Sequence, residues 1–204
     1  EYSKKYGFSD KNYVVNGLSL NFIYDTRDNL INTNNGLYLN LNYRFNPNLF
    51  RNQQLSSSLL IESRYFIPIS KTNKQHVFGF WAYGQFFVSG KLPYLNLPAI
   101  GWDQNSRSGK GYIQGLFRGT NLMFFEGEDR FPITKNQMIS GTVFTNVTTA
   151  SNLDNNFKLF ESIQPAIGVG LRVLLDKNTL TNFIVNFGLG RESQTFYFND
   201  GEGF

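Results

Sequence analysis

From Gly36 to Phe45 the chain alternates without a break. Leu37, Leu39, Leu41, Tyr43 and Phe45 fall on one side, and Tyr38, Asn40, Asn42 and Arg44 on the other. A period of two over this length marks a β-strand, since the apolar residues of an amphipathic helix recur every three or four positions. The pattern returns along nearly the whole chain. Leu18, Leu20, Phe22 and Tyr24 carry it first. Leu59, Ile61, Tyr65 and Ile67 then oppose Ser56, Ser58, Glu62 and Arg64, and Phe78, Phe80, Ala82, Phe86 and Val88 oppose Gly79, Trp81, Tyr83 and Gln85. Further strands are expected over 121–133, 138–147, 163–175, 183–189 and 194–204, separated by turn chemistry such as Thr33-Asn34-Asn35-Gly36 and Asp176-Lys177-Asn178. Residues 1–11 lack the period and read as an irregular lead-in.

One such strand would suit a soluble sandwich equally well. Repetition changes the balance. Aromatic residues make up 17 % of the chain, yet hydrophobic residues only 41 % and the mean hydropathy is −0.31. Strands with two unlike faces give that combination, as in a membrane β-barrel whose lipid-facing and lumen-facing residues alternate. The strands run to about 9–11 residues, the length that crosses a bilayer. The expected fold is therefore all-β: an antiparallel transmembrane barrel over 12–204 with about nine strands. Single-chain bacterial barrels have even counts, so an odd number means a misjudged first strand, strands upstream of this chain, or closure by another chain.

Residues 91–120 break the period but hold Leu92, Leu95, Leu97, Ile100, Trp102, Tyr112 and Phe117. Long loops inside compact domains are usually functional or disordered, and this one is too apolar for disorder. It is expected to pack in the lumen. The strand that returns from it sets Phe125 and Phe131 outward, and Glu126, Glu128 and Arg130 inward, where a charge needs a partner.

Other chemistry is thin. There is no cysteine, so thiolate sites are excluded, and His76 is the single histidine. The net charge of +4 is scattered, with no basic stripe for nucleic acid. A Ser/His/acid hydrolase would require His76 beside a serine such as Ser140 or Ser193; no enzyme and no cofactor are expected. No leader peptide opens the chain, so Glu1 is expected at or beyond a cleavage site or boundary.

Three ordered blocks carry a resemblance. The first is Asp25-x-Arg27-Asp28-Asn29 followed by Gly36. The second is Gly109-Lys110-Gly111-Tyr112, then Phe117-Arg118-Gly119, then Glu128-x-Arg130-Phe131-Pro132-Ile133. The third is Gly168-x-Gly170-Leu171-Arg172, Phe187-Gly188-x-Gly190 and the terminal aromatics through Phe204. Together they resemble the C-terminal barrel half of the BamA/TamA/FhaC superfamily, the bacterial surface antigen family, over almost the whole chain.

The resemblance implies a bacterial outer-membrane barrel of roughly 16 strands, of which this chain supplies the last nine or so. It implies a lumen-inserted loop, periplasmic POTRA domains upstream, and a seam that opens laterally. Family members insert barrel proteins or move polypeptides without a nucleotide. The implied partners are outer-membrane lipid, client polypeptides, and envelope-complex subunits or a second, barrel-completing chain. The alternative role is a structural or accessory barrel, or the membrane anchor of an upstream domain.

By the same resemblance Lys110, Gly111, Tyr112, Arg118 and Gly119 anchor the loop. Glu126, Glu128, Arg130, Asn146, Arg172 and Asn186 are its lumenal partners. Asp25, Arg27 and Asp28 form a structural network in a periplasmic turn, and Phe204 serves as an insertion signal. Lys110 stands where the family usually has arginine, and Asn146 and Asn186 where it has aspartate. A Lys–Asn contact keeps a hydrogen bond but loses the bidentate ion pair. The expectation is a weakened lock, with Arg118 as an alternative anchor to Lys110, against Glu126 or Glu128.

Overall fold

The computed structural model of the protein describes residues 2–8, 14–49, 54–70, 73, 75–103, 106–152 and 156–201. Among these residues nine strands follow one another in a single sheet: β1 (Leu18–Asp25), β2 (Gly36–Asn46), β3 (Ser56–Pro68), β4 (Val77–Gly90), β5 (Asn121–Pro132), β6 (Ile139–Ser151), β7 (Gln164–Asp176), β8 (Thr181–Gly190) and β9 (Ser193–Asp200). Each is antiparallel to its sequence neighbour.

Register aligns the alternating side chains into rows across the sheet. Leu41 lies opposite Ile61, and Val143 opposite Val169, itself opposite Phe187. Leu41, Ile61, Val143 and Val169 are exposed, while Glu62, Arg64, Glu126, Glu128, Arg130 and Arg172 on the other face are buried. A protein in water would hide the first row and hydrate the second. The inverted arrangement is that of a barrel wall, with acyl chains outside and a polar lumen within.

Strands spaced about 4.8 Å apart would hold β1 and β9 of a flat sheet about 40 Å from each other. Contacts between distant parts exclude a flat sheet. Arg130 on β5 donates to the Thr33 carbonyl, in the turn after β1, at 3.2 Å. A Cβ added to Gly201, just past β9, would lie 3.7 Å from Ile31 of the same turn. The sheet therefore curls around a lumen, and residues 26–35 fold across one end of it.

Curling stops short of closure. Among the described residues β1 pairs with β2 alone and β9 with β8 alone. Because alternate strands reverse direction, β1 and β9 point the same way. Direct pairing between them would be parallel, unlike every other pairing in the sheet.

Two features depart from the sequence expectation. Residues Tyr2–Lys5 form one helical turn, α1, where the pattern predicts an irregular lead-in. Tertiary contacts hold what so short a helix cannot hold alone: Gln54 donates to the Tyr6 carbonyl, the Tyr2 ring lies 5.8 Å from that of Tyr94, and Phe8 is buried. The lumen is also drier than expected. Phe66, Val77, Trp81, Tyr83, Leu122 and Phe124 form an apolar cluster that includes Ile100 from the 91–120 loop. The loop shields that wall from water, so inward-facing side chains beneath it can be apolar.

Candidate functional site

The 91–120 segment leaves β4, crosses the inner face of the sheet and returns into β5. Near its base it is held by its own backbone: Ile100 donates to the Phe117 carbonyl, and Gly119 to that of Pro98. Asp103 accepts from the backbone amides of Arg107 and Ser108, shaping the approach to the tip. Its tip, Gly109-Lys110-Gly111-Tyr112, lies against β7, β8 and β9.

Glycine makes that close approach possible. Gly111 has φ of +106°, a conformation that L side chains rarely adopt. A Cβ on Gly188 would meet the Gly111 nitrogen at 2.5 Å, and one on Gly190 would meet the Tyr112 ring at 2.4 Å. Side chains from the end of the sheet then grip the loop. Thr195 accepts the Gly111 amide at 2.9 Å. The Tyr197 hydroxyl donates to the carbonyls of Tyr112 at 2.6 Å and Gly109 at 3.2 Å. The Tyr112 hydroxyl donates to the Pro165 carbonyl and accepts the Arg191 amide.

Lys110 extends from this tip into a charge cluster. Its Nζ lies 2.5 Å from Glu126 Oε1, 3.3 Å from Glu128 Oε2 and 4.8 Å from the centre of the Phe144 ring. Glu128 also receives Arg130 Nε at 2.5 Å and Arg172 at 2.7 Å. Parity on β5 sets Glu126, Glu128 and Arg130 on one face, and the β6 register leaves Thr142 beside Arg130. Arg172, one strand further on, reaches across β6 to Glu128. The three cations and two carboxylates are nearly or fully buried, so each charge depends on the others in place of water.

The geometry differs from the expected lock at two points. Asn146 does not meet the lysine ammonium. Its Nδ2 donates to the Lys110 backbone carbonyl at 2.8 Å, and the ion pair shifts to Glu126, opposite Asn146 on the neighbouring strand. Arg118 does not face Glu126 or Glu128. It donates to the Tyr94 carbonyl at 2.9 Å and stacks over Trp102 at 4.1 Å, beside Gly119 at the base of the loop. The glycine-rich tip lets the flexible lysine reach the carboxylates, while the 98–100 and 117–119 backbone pairing keeps Arg118 behind. Asn186 is fully buried beside Gly170, and neither of its side-chain polar atoms finds a hydrogen-bond partner among the described residues.

At the β1–β2 turn Arg27 forks onto Asp25 at 2.9 and 2.7 Å and stacks over Tyr38, while Asp28 accepts the amides of Asn34 and Asn35. Phe204 lies outside the described residues. His76 engages Asp129 at 3.1 Å, and no group of metal-ligating side chains occurs among the described residues.

Sequence reasoning also missed functional neighbours. Thr195 carries no motif, and Tyr197 stands in the terminal aromatic block without any sign that it reaches the loop. A second lumenal cluster, with Glu62 accepting from Arg64 at 2.8 Å and Trp81 at 3.0 Å, was visible only as inward parity.

These features coincide with a family assignment. The Omp85 superfamily domain matches residues 7–204. The chain belongs to the Omp85 superfamily. Its sheet resembles the crystal structure of BamA from Haemophilus ducreyi lacking POTRA domains 1–3, with a TM-score of 0.70 at 13 % identity over 91 % of this chain. The likeness at that identity concerns the fold. The chain spans 42 % of that BamA chain, less than half its length. Comparison with curated protein sequences returns no match. Superfamily membership assigns the protein to the bacterial outer membrane, within a family of protein insertion and translocation barrels.

Proposed function

We propose that the protein is the C-terminal part of a non-enzymatic barrel that inserts outer-membrane polypeptides or passes them across the membrane, with residues 12–204 as one barrel domain. The observation that carries this reading is the attachment of the loop tip to the edge strand. Thr195 and Tyr197 of β9 hold the Gly109–Tyr112 backbone, while Lys110 reaches the buried carboxylates of β5. A strand edge without a partner offers a ladder of backbone donors and acceptors to an incoming strand. A loop tied at once to that edge and to the opposite wall couples the state of the edge to the lumenal charges.

In this scheme Lys110, Gly111 and Tyr112 lock the loop, with Arg118 and Gly119 bracing its base. Glu126, Glu128, Arg130, Asn146 and Arg172 receive the lock, and Asn186 lies beside the track on which they meet. Asp25, Arg27 and Asp28 stiffen a turn, and Phe204 takes part in recognition during the protein's own assembly. Clients are unfolded outer-membrane polypeptides, and lipid surrounds the outer face.

The test uses the full-length protein in liposomes with a urea-unfolded small barrel as client. Client folding is followed by its heat-modifiable gel mobility. Lys110→Met is expected to slow insertion by about tenfold or more, the rate equivalent of about 1.4 kcal/mol, while Lys110→Arg retains most of it. A wild-type protein that leaves client folding at the spontaneous rate would point instead to an accessory barrel.

A further inference from the structure

The membrane-facing surface is not smooth. From the start of β4 across to β8 runs a groove of 570 Å3, walled by Phe78, Ile167, Phe187 and Leu189. A second groove of 400 Å3 continues toward Tyr65 and shares Phe78, Gly127 and Thr145 with the first. The cause lies in one cross-strand row. Gly127 stands between Phe80 and Thr145, and Thr145 stands opposite Ile167. Glycine offers no side chain there. The Thr145 hydroxyl is turned onto the Ala166 carbonyl at 3.2 Å, which leaves only its methyl for the groove. Phe78 and Phe80, with ring centres 4.7 Å apart, close one flank.

An apolar groove within a bilayer gains nothing from the hydrophobic effect when an acyl chain enters it, because the chain is already out of water. Packing and headgroup chemistry must supply any selectivity. The groove has that chemistry at one end. Asp129 lines it, on an outward-facing row otherwise built from Phe78, Val143 and Val169. Its carboxylate holds the His76 imidazole at 3.1 Å, and both side chains remain partly exposed. His76 immediately precedes β4 and Asp129 stands opposite Phe78, the second residue of β4, where a strand emerges toward the headgroups. Charged side chains on the lipid face are destabilising except near the interface. A carboxylate there, next to an imidazole, matches a headgroup carrying a positive and a negative charge side by side.

We infer that this groove is a lipid-binding site for a zwitterionic aminophospholipid. Its acyl chain lies over Gly127 and Thr145, its ammonium meets Asp129, and its phosphate meets His76.

The full-length protein is placed in nanodiscs of equal parts phosphatidylethanolamine and phosphatidylglycerol with identical acyl chains. Lipids that remain bound are counted by native mass spectrometry. Wild type is expected to retain the ethanolamine lipid over the glycerol lipid by about tenfold, the effect of one charged hydrogen bond. Asp129→Asn should abolish that preference, and His76→Ala should lower retention of both lipids. Gly127→Leu should fill the groove and reduce both. A Cβ at Gly127 meets only the Phe78 ring at 4.0 Å, so that variant folds, as heat-modifiable mobility will verify. Equal retention of the two lipids by wild type overturns the inference, as does unchanged retention in Gly127→Leu. A dimer mass that disappears in Gly127→Leu also overturns it, because a second copy would then cover the groove.

Discussion

At Asp25 an arginine two residues away in the same turn forks onto the carboxylate, in a site that remains partly open to solvent. At Glu128 an arginine two residues away makes a similar approach, but a second arginine arrives from β7 and a lysine from the loop tip, and no water reaches the carboxylate. The local sequence is nearly the same, Asp-x-Arg against Glu-x-Arg. Burial separates them. An exposed pair exchanges hydration for attraction at little net gain. A buried cluster is not strongly stabilising as a whole, but losing one member leaves the others charged without compensation. The first site stiffens a turn, whereas the second makes the lysine-bearing loop, two strands and their neighbours depend on one another.

The sharpest way to break this contrast is Glu128→Gln, which strips the charge shared by three cations. A loss of roughly 3–5 kcal/mol is expected, read from the urea midpoint of tryptophan fluorescence in detergent. A loss below about 1 kcal/mol would mean that lumenal water screens the cluster as it would a surface pair. Gly190→Val attacks the same cluster through packing alone. Its Cβ would enter the Tyr112 ring, so the loop must move, at a cost of roughly 1–3 kcal/mol. Protease cleavage within 91–120 should rise in that variant, and an uncut loop would show that Lys110 holds without its glycine seat.

A finer test is Asn146→Ala, which removes one hydrogen bond to the Lys110 carbonyl and leaves the ion pairs intact. About 1 kcal/mol is expected on the same urea scale. A loss matching Glu128→Gln would make Asn146 a full member of the cluster. Arg27→Ala should have the smallest effect, about 0–1 kcal/mol. Repeating the measurement in high salt should shrink it further, because screening acts on charges that water reaches. A large, salt-independent loss would place the turn in the same class as the lumen.

Much of the wall was legible beforehand because alternation is a local property. Leu37 to Phe45 dictates which side chains share a face whatever the strand pairs with, and Glu126, Glu128 and Arg130 follow the same rule. The lock was less legible. Lys110 and Asn146 suggested a weakened contact when considered as a pair, whereas the lysine finds its carboxylates one strand away. Nothing local marks Thr195, and the aromatic block that holds Tyr197 does not reveal its contact, since both roles depend on a loop more than eighty positions earlier in the chain.

From its sequence alone, this protein was bound to form two-faced strands joined by turns, with a long apolar loop in need of shelter. Steric alternation and turn preference act between neighbouring residues, and they suffice for that. Which cation meets which carboxylate, how dry the lumen becomes, and which glycines receive the loop tip were decided only when the sheet curled. Those contacts join residues far apart in sequence, and their geometry depends on register and curvature that no short stretch encodes.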